Sequence, residues 1–287
     1  MVGRAGNSDA LPTQSVQKFR PRSPRRDTKA MLRQMAWLQI ESQFEPMLRA
    51  LGLSSFETIT KHFTHGSMTR GEVFVTPARL NANATSMDVF FKLYRHERPS
   101  WRFWKRDSKA RREFQNYRQL ETLGVPVAQR VAVGEQRDVI GRLKSAFIIT
   151  VAVPGARTLI EFAQDQPMRA GRLRIYAELS RAVRVMHEAN FFHHDLVWRN
   201  VLVNERGEIV LIDCPRGGVS HFGKERRRLR DLASLDKSAW KFCRRTERLR
   251  FLLAYLGKTR VDDEARTLIH TCLSYRRTRW PEDWSGK

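Results

Sequence analysis

The chain has 287 residues, with 53 Lys or Arg against 30 Asp or Glu, a formal net charge of +23. Its 41% hydrophobic and 10% aromatic content is enough to bury a sizeable core, which excludes wholesale disorder. A membrane-spanning helix is excluded too, because the longest apolar stretch, Ala146 to Val153, is broken by Thr150 and falls far short of the ~18–20 residues required. At roughly 150 residues per domain, the length suits one large domain or two lobes.

Residues 1–30 are rich in Pro, Ser and Arg, with the run Arg20-Pro21-Arg22-Ser23-Pro24-Arg25-Arg26, and read as a flexible basic tail. Met1 to Gln17 has no apolar block of the secretory type. A helix is expected around Met31–Leu53, ended by Gly52. From Phe56 to Tyr94 the pattern is strand-like, with runs Glu72–Val75 and Asp88–Tyr94 separated by Pro77 and a polar stretch. Ser108 to Leu123 reads as a helix stopped by Gly124 and Pro126. Strands follow at Gln129–Gly134 and Lys144–Val153, and the second runs into Pro154-Gly155, a natural joint. Beyond it, Leu173, Tyr176, Leu179, Val183 and Met186 recur at helical spacing. Asn200–Val203 and Ile209–Ile212 read as a hairpin, and the chain from Lys224 as basic helices. The organisation expected is a tail over 1–30, a β-rich lobe with one helix over 31–153, and a mainly helical lobe over 154–287.

The most informative stretch is His193-His194-Asp195-Leu196-Val197-Trp198-Arg199-Asn200, followed through the hairpin by Leu211-Ile212-Asp213. Phosphoryl transfer needs a carboxylate to orient the attacking hydroxyl, and an amide oxygen with a second carboxylate to hold Mg²⁺ on the phosphates. A loop holding Asp195 and Asn200 five apart can face both into one cleft, and the hairpin returns Asp213 beside them. Singly each has a plainer reading: a helix cap, a turn residue, a strand-closing carboxylate. Together they point to nucleotide chemistry. Lys92, a cation on an otherwise apolar strand, could anchor phosphates or snorkel from an edge. Glu113 shares a helix face with Ala110, Phe114 and Tyr117, and needs a buried cation as partner, for which Lys92 is the candidate. Between Phe63 and Val73, the stretch His65-Gly66-Ser67-Met68-Thr69-Arg70-Gly71 could cover phosphates or be an ordinary turn.

The segments Phe90–Tyr94, Ser108–Pro126, His187–Asn200 and Leu211–Gly217 resemble the lipopolysaccharide kinase (Kdo/WaaP) family, which phosphorylates inner-core sugars of bacterial lipopolysaccharide with ATP. The similarity runs over roughly residues 60–240. It implies an α+β, bilobal, protein-kinase-like fold using ATP and Mg²⁺. Asp195 would be the catalytic base, Asn200 and Asp213 the Mg²⁺ ligands, and Lys92 with Glu113 the ATP-anchoring pair. His193 and Asp231 would support the catalytic loop, although Asp231 could equally be a solvated helix carboxylate. The chain departs from conventional protein kinases in Asp213-Cys214-Pro215-Arg216 for Asp-Phe-Gly, in the short span to the next helix, and in His194 where an Arg often stands. These features favour a small-molecule or glycolipid acceptor. An atypical protein kinase, another small-molecule phosphotransferase or a non-catalytic polyanion-binding pseudokinase are the alternatives.

Charge bears on partners more than on fold. Arg95–Arg112 interleaves Trp101, Phe103 and Trp104 with cations. This suits a lipid-headgroup interface, a nucleic-acid surface or a solvated basic flap. Lys224–Arg250 carries eleven Lys/Arg against four Asp/Glu and would attract a phosphorylated or carboxylated substrate. The expected partners are an anionic glycolipid or sugar and an anionic membrane surface, not nucleic acid. Cys214, Cys243 and Cys272 lack paired spacing, as for reduced thiols in the cytoplasm. The expected location is therefore cytoplasmic, peripheral on the inner face of the membrane.

Overall fold

A computed structural model describes residues 35–64, 73–82, 85–104, 106–165 and 168–281. The basic tail and the glycine-containing stretch 65–71 lie outside the described residues, as do parts of the aromatic and basic segment 95–112.

The helix expected over Met31–Leu53 is replaced by strand β1 (Ala36–Ile40), a 3₁₀ turn at Ser42–Phe44 and a short helix α1 (Glu45–Ala50). The reason is tertiary: Ala36 to Ile40 pair with Gln136 to Ala132, and an available sheet edge outweighs local helix preference. Phe56–Thr64, expected to be strand-like, is helix α2. Phe56, Ile59 and Phe63 are buried at steps of three and four, and the Ser55 hydroxyl accepts the Thr58 N–H at 3.1 Å.

The hairpin of β2 (Val73–Ala82) and β3 (Thr85–Ser100) is longer than the two short runs expected. Pro77 lies within β2 rather than at a break, which is tolerated because β2 is an edge strand. Helix α3 (Lys109–Thr122) starts where expected: Ser108 accepts the Arg111 N–H at 3.1 Å, and Gly124 at φ 72° follows its end. β4 (Arg130–Arg137) and β5 (Leu143–Val151) complete an antiparallel sheet of order β1-β4-β5-β3-β2.

Alternation along β3 sorts its side chains. Val89, Phe91 and Leu93 are buried with α1 and α2, whereas Tyr94 joins the core containing Phe114 and Tyr117 of α3. Lys92 shares the parity of Tyr94 and so faces α3. After Pro154-Gly155 the chain adds β6 (Arg157–Thr158), α4 (Leu159–Gln164) and α5 (Arg169–Glu188). Then come β7 (Phe191–Phe192), β8 (Val201–Val203), β9 (Ile209–Leu211) and β10 (Gly218–Val219). Three helices end the chain: α6 (Lys224–Phe242), α7 (Arg245–Leu256) and α8 (Asp263–Arg279). β8 pairs with both β6 and β9, and β10 with β7. This is the α+β, bilobal, kinase-like arrangement expected: a sheet-rich lobe followed by a helical one. The residues after α3 join the two, since the Leu211 N–H donates to Pro126 O at 2.9 Å. Among the described residues no helix is long and apolar enough to cross a membrane.

The sheet is packed closely against α2. A Cβ at Gly134 would lie 2.7 Å from a Phe147 ring carbon and 2.8 Å from one of Phe56. Gly134→Ala is therefore expected to lose about 1–3 kcal/mol of stability. Thermal unfolding tests this, and an unchanged Tm would mean that the rings yield without cost.

Candidate active site

Lys92, 18% exposed at its side chain, reaches Glu113 Oε2 at 3.2 Å and also contacts Asp213 Oδ1, 121 residues away in sequence. Glu113 is buried on the apolar face of α3, where its carboxylate accepts Tyr94 OH at 2.9 Å and Tyr117 OH at 3.1 Å. Burial works against the charge on Lys92, but Glu113 and Asp213 outweigh it and raise its pKa above the ordinary lysine value. Burial, with the Glu113 charge adding to it, keeps both tyrosines protonated donors.

Helix α3 also holds the segment that carries Asp213. The Asp213 N–H donates to Tyr117 OH at 2.8 Å, so this one phenol joins the Glu113 carboxylate to the Asp213 backbone. Asn116 Nδ2 donates to Cys214 O at 2.7 Å and Gly217 O at 3.0 Å. Asp213 sits at φ 57°, a left-handed conformation costly for a residue with a Cβ, and these bonds help to hold it there.

On the other side, Asp231 of α6 is fully buried and accepts the N–H groups of His193 at 2.7 Å and His194 at 2.8 Å. Its burial excludes the solvated alternative. His194 has φ 65°, so Asp231 braces a strained loop. Behind it, His187 Nε2 lies 3.5 Å from Asp231 Oδ2, and His187 Nδ1 meets Tyr255 OH at 2.8 Å. Burial by itself would raise the Asp231 pKa, but the hydrogen bond and charge of His187, with His193, hold it below the ordinary carboxylate range. The His193 ring is fully buried, and that burial lowers its pKa.

The loop ends in a 3₁₀ turn, Trp198–Asn200, seated by Trp198 stacked on Phe242 at 5.5 Å. Asn200 Nδ2 donates to Asp195 O at 2.9 Å, which leaves its Oδ1 as an acceptor. The Ile212 N–H donates to Asn200 O at 3.0 Å and Val201 pairs with Leu211, so Asn200 and Asp213 flank the same end of the hairpin. Asp195 is one third exposed at its side chain, 3.9 Å from Arg199 Nη2. The donors fit Mg²⁺: an amide oxygen and a carboxylate, hard ligands that leave further positions for phosphate oxygens and water. Among the described residues there is no cluster of three or more His, Cys, Asp or Glu that could hold a metal without such help.

A cavity of about 610 Å³ lies among the C-terminal helices beside Leu179, Leu232, Phe251 and Leu273 and contains none of these charged groups. Convergent chemistry, rather than void volume, marks the site.

Residues 83–255 match the model of the lipopolysaccharide kinase (Kdo/WaaP) family. The chain belongs to that family. It is similar to a 3-deoxy-D-manno-octulosonic acid kinase of Vibrio cholerae serotype O1, with 29% identity over 110 residues, 38% of this chain and 44% of the relative. A second relative of that name, from Vibrio parahaemolyticus serotype O3:K6, is 26% identical over 106 residues, 37% of this chain and 42% of the relative. The chain thus spans under half the length of the curated relatives it matches.

In this Kdo/WaaP family member, Lys92 contacts both Glu113 and Asp213, Asn200 donates to the Asp195 carbonyl, and Asp231 holds the His193 and His194 amides from behind. Sequence reasoning missed Asn116 and Tyr117, which lie three and four residues after Glu113 as polar groups on a buried stripe. It also missed the packing role of His187. The expected phosphate-covering stretch 65–71 is outside the described residues.

Two substitutions test this frame. Tyr117→Phe leaves the Asp213 amide without its partner and is expected to cost about 1–3 kcal/mol in urea denaturation; wild-type stability would show the hydroxyl to be idle. Asp231 has a depressed pKa, so its stabilisation is present above the unfolded value of about 4 and is lost as pH falls through the folded value. Asp231→Asn is expected to be less stable at pH 7, and to lose less than wild type on further acidification. Parallel pH–stability curves would contradict this.

Proposed function

We propose that the chain is an ATP- and Mg²⁺-dependent phosphotransferase acting on a sugar hydroxyl of the lipopolysaccharide inner core, Kdo or heptose. The observation that carries this reading is the meeting of Lys92 with Glu113 and Asp213, a cation held by one buried carboxylate beside a second, more open one. That arrangement suits a triphosphate, with Lys92 reaching its oxygens and Glu113 holding Lys92 in place. Mg²⁺ held by Asn200 Oδ1 and the Asp213 carboxylate would neutralise charge on the phosphates. Asp195 would orient the acceptor hydroxyl and take its proton, and Arg199 would offset the charge beside it.

A seat for the base adjoins the lysine. Val75 stands opposite Lys92 in the hairpin and Phe90 lies two residues before it, so all three share a face. Val75 is 54% exposed and Phe90 42%, an open apolar patch that a flat ring would cover. The names of the two relatives favour Kdo as the acceptor. Such an acceptor is carried on lipid, which would place the protein peripherally at the inner face of the membrane.

The test uses labelled ATP and fractionated cell envelope. Asp195→Asn is expected to lower label transfer into glycolipid by about 10²–10⁴-fold while keeping ATP-dependent thermal stabilisation. Lys92→Ala is expected to lose that stabilisation as well. Undiminished transfer by the Asp195 variant, or label in protein rather than glycolipid, would overturn the reading.

A further inference from the structure

Phe222 is 86% exposed, the most exposed large apolar side chain among the described residues, and Val219 close by is 51% exposed. Both lie between Asp213 and the start of α6; that stretch and the first turn of α6 also expose Arg216, His221, Lys224 and Arg226. Glu225 is the one acidic residue between Cys214 and Arg230. Arg228 lies 3.9 Å from Glu225, and no ion pair is formed by Arg216, Lys224 or Arg226 among the described residues. Among the described residues, this apolar tip and those cations have no partner.

The tip is held firmly. Gly218 and Val219 pair with Phe192 and Phe191, and the Ser220 N–H donates to Asn190 O at 2.9 Å. Arg227 Nε donates to Phe222 O at 3.1 Å, and Arg227 Nη1 donates to His194 Nε2 at 2.8 Å. Phe222 is thus tied through one arginine to the loop that carries Asp195.

We propose that the segment Arg216–Arg226 docks the protein on an anionic lipid bilayer, with Phe222 and Val219 entering the headgroup boundary and Arg216, Lys224 and Arg226 meeting lipid phosphates. Charge complementarity and the exposed ring together select this partner: a soluble polyanion would use the cations but leave Phe222 in water, whereas a bilayer uses both. The assignment places the membrane contact outside Arg95–Arg112, the segment whose aromatic and basic residues first suggested a headgroup interface. It rests on the proposed function in one respect, that docking here would bring a lipid-borne hydroxyl towards Asp195.

The experiment is co-sedimentation of the full chain with vesicles of phosphatidylcholine alone or with added phosphatidylglycerol, for wild type, Phe222→Ser and the double variant Lys224→Glu/Arg226→Glu. Wild type is expected to prefer anionic vesicles. The double variant should weaken that binding by about tenfold or more, and Phe222→Ser should weaken it while leaving binding to a soluble polyanion such as heparin unchanged. All three positions are exposed, so circular dichroism is expected to match wild type. Vesicle binding by both variants equal to wild type, or Phe222→Ser losing heparin as much as vesicles, would overturn the docking surface. Neither readout involves turnover. Failure here leaves the phosphotransferase reading to the Asp195 variant, and an inactive protein with intact lipid discrimination would retain the surface.

Discussion

A single ammonium group organises the molecule. Lys92 is placed by the alternation of β3 on the face opposite Phe91 and Leu93, and there it meets two carboxylates from distant parts of the chain. Burying Glu113 would be prohibitive without that cation, and holding Lys92 in a crevice would be prohibitive without the carboxylates. Lys92 and Glu113 offset the cost of burying each other, and Asp213, more open to solvent, adds a second carboxylate to the cation. The sheet, helix α3 and the end of β9 come together at this contact.

The supports around this contact form two groups. Helix α3 supplies Glu113 and, through Tyr117 and Asn116, the hydrogen bonds that fix Asp213 and the carbonyls after it. Helix α6 supplies Asp231, which accepts the His193 and His194 amides and so holds His194 in its left-handed conformation. Strained backbone at Asp213 and His194 is thus maintained by one buried hydroxyl and one buried carboxylate. Because the tyrosine that holds Asp213 also binds Glu113, the helix and the Asp213 loop are coupled directly. This differs from a regulatory segment free to swing. It accords with the Asp-Cys-Pro-Arg run and with the short span before α6.

Much of this was legible in the residues because it is local. Helix α3 has its cap at Ser108 and its stop at Gly124, and the Asp195–Asn200 spacing with a hairpin before Asp213 encodes its own geometry. Glu113 betrayed itself as a charge on an apolar stripe. What was hidden depends on partners far along the chain. The strand at Ala36–Ile40 exists because β4 offers an edge, which no local pattern at Met31–Leu53 reports. Tyr117 looks like an ordinary core aromatic until its hydroxyl is seen against Asp213, 96 residues on. Helix α2 was readable from Phe56, Ile59 and Phe63 and was obscured by the β-rich residues after it. The exposure of Phe222 is likewise a property of the fold, since the sequence around it shows only one more aromatic among cations.

The central claim is that Lys92, Asn200 and Asp213 together form a seat for magnesium nucleotide. Titration calorimetry of the intact chain with ATP, with and without Mg²⁺, in wild type and in Asp213→Asn tests it most directly. The account predicts that Mg²⁺ tightens ATP binding to wild type by about tenfold or more, roughly 1.4 kcal/mol, and that this gain disappears in Asp213→Asn. An equal gain in both proteins, or none in wild type, would contradict it.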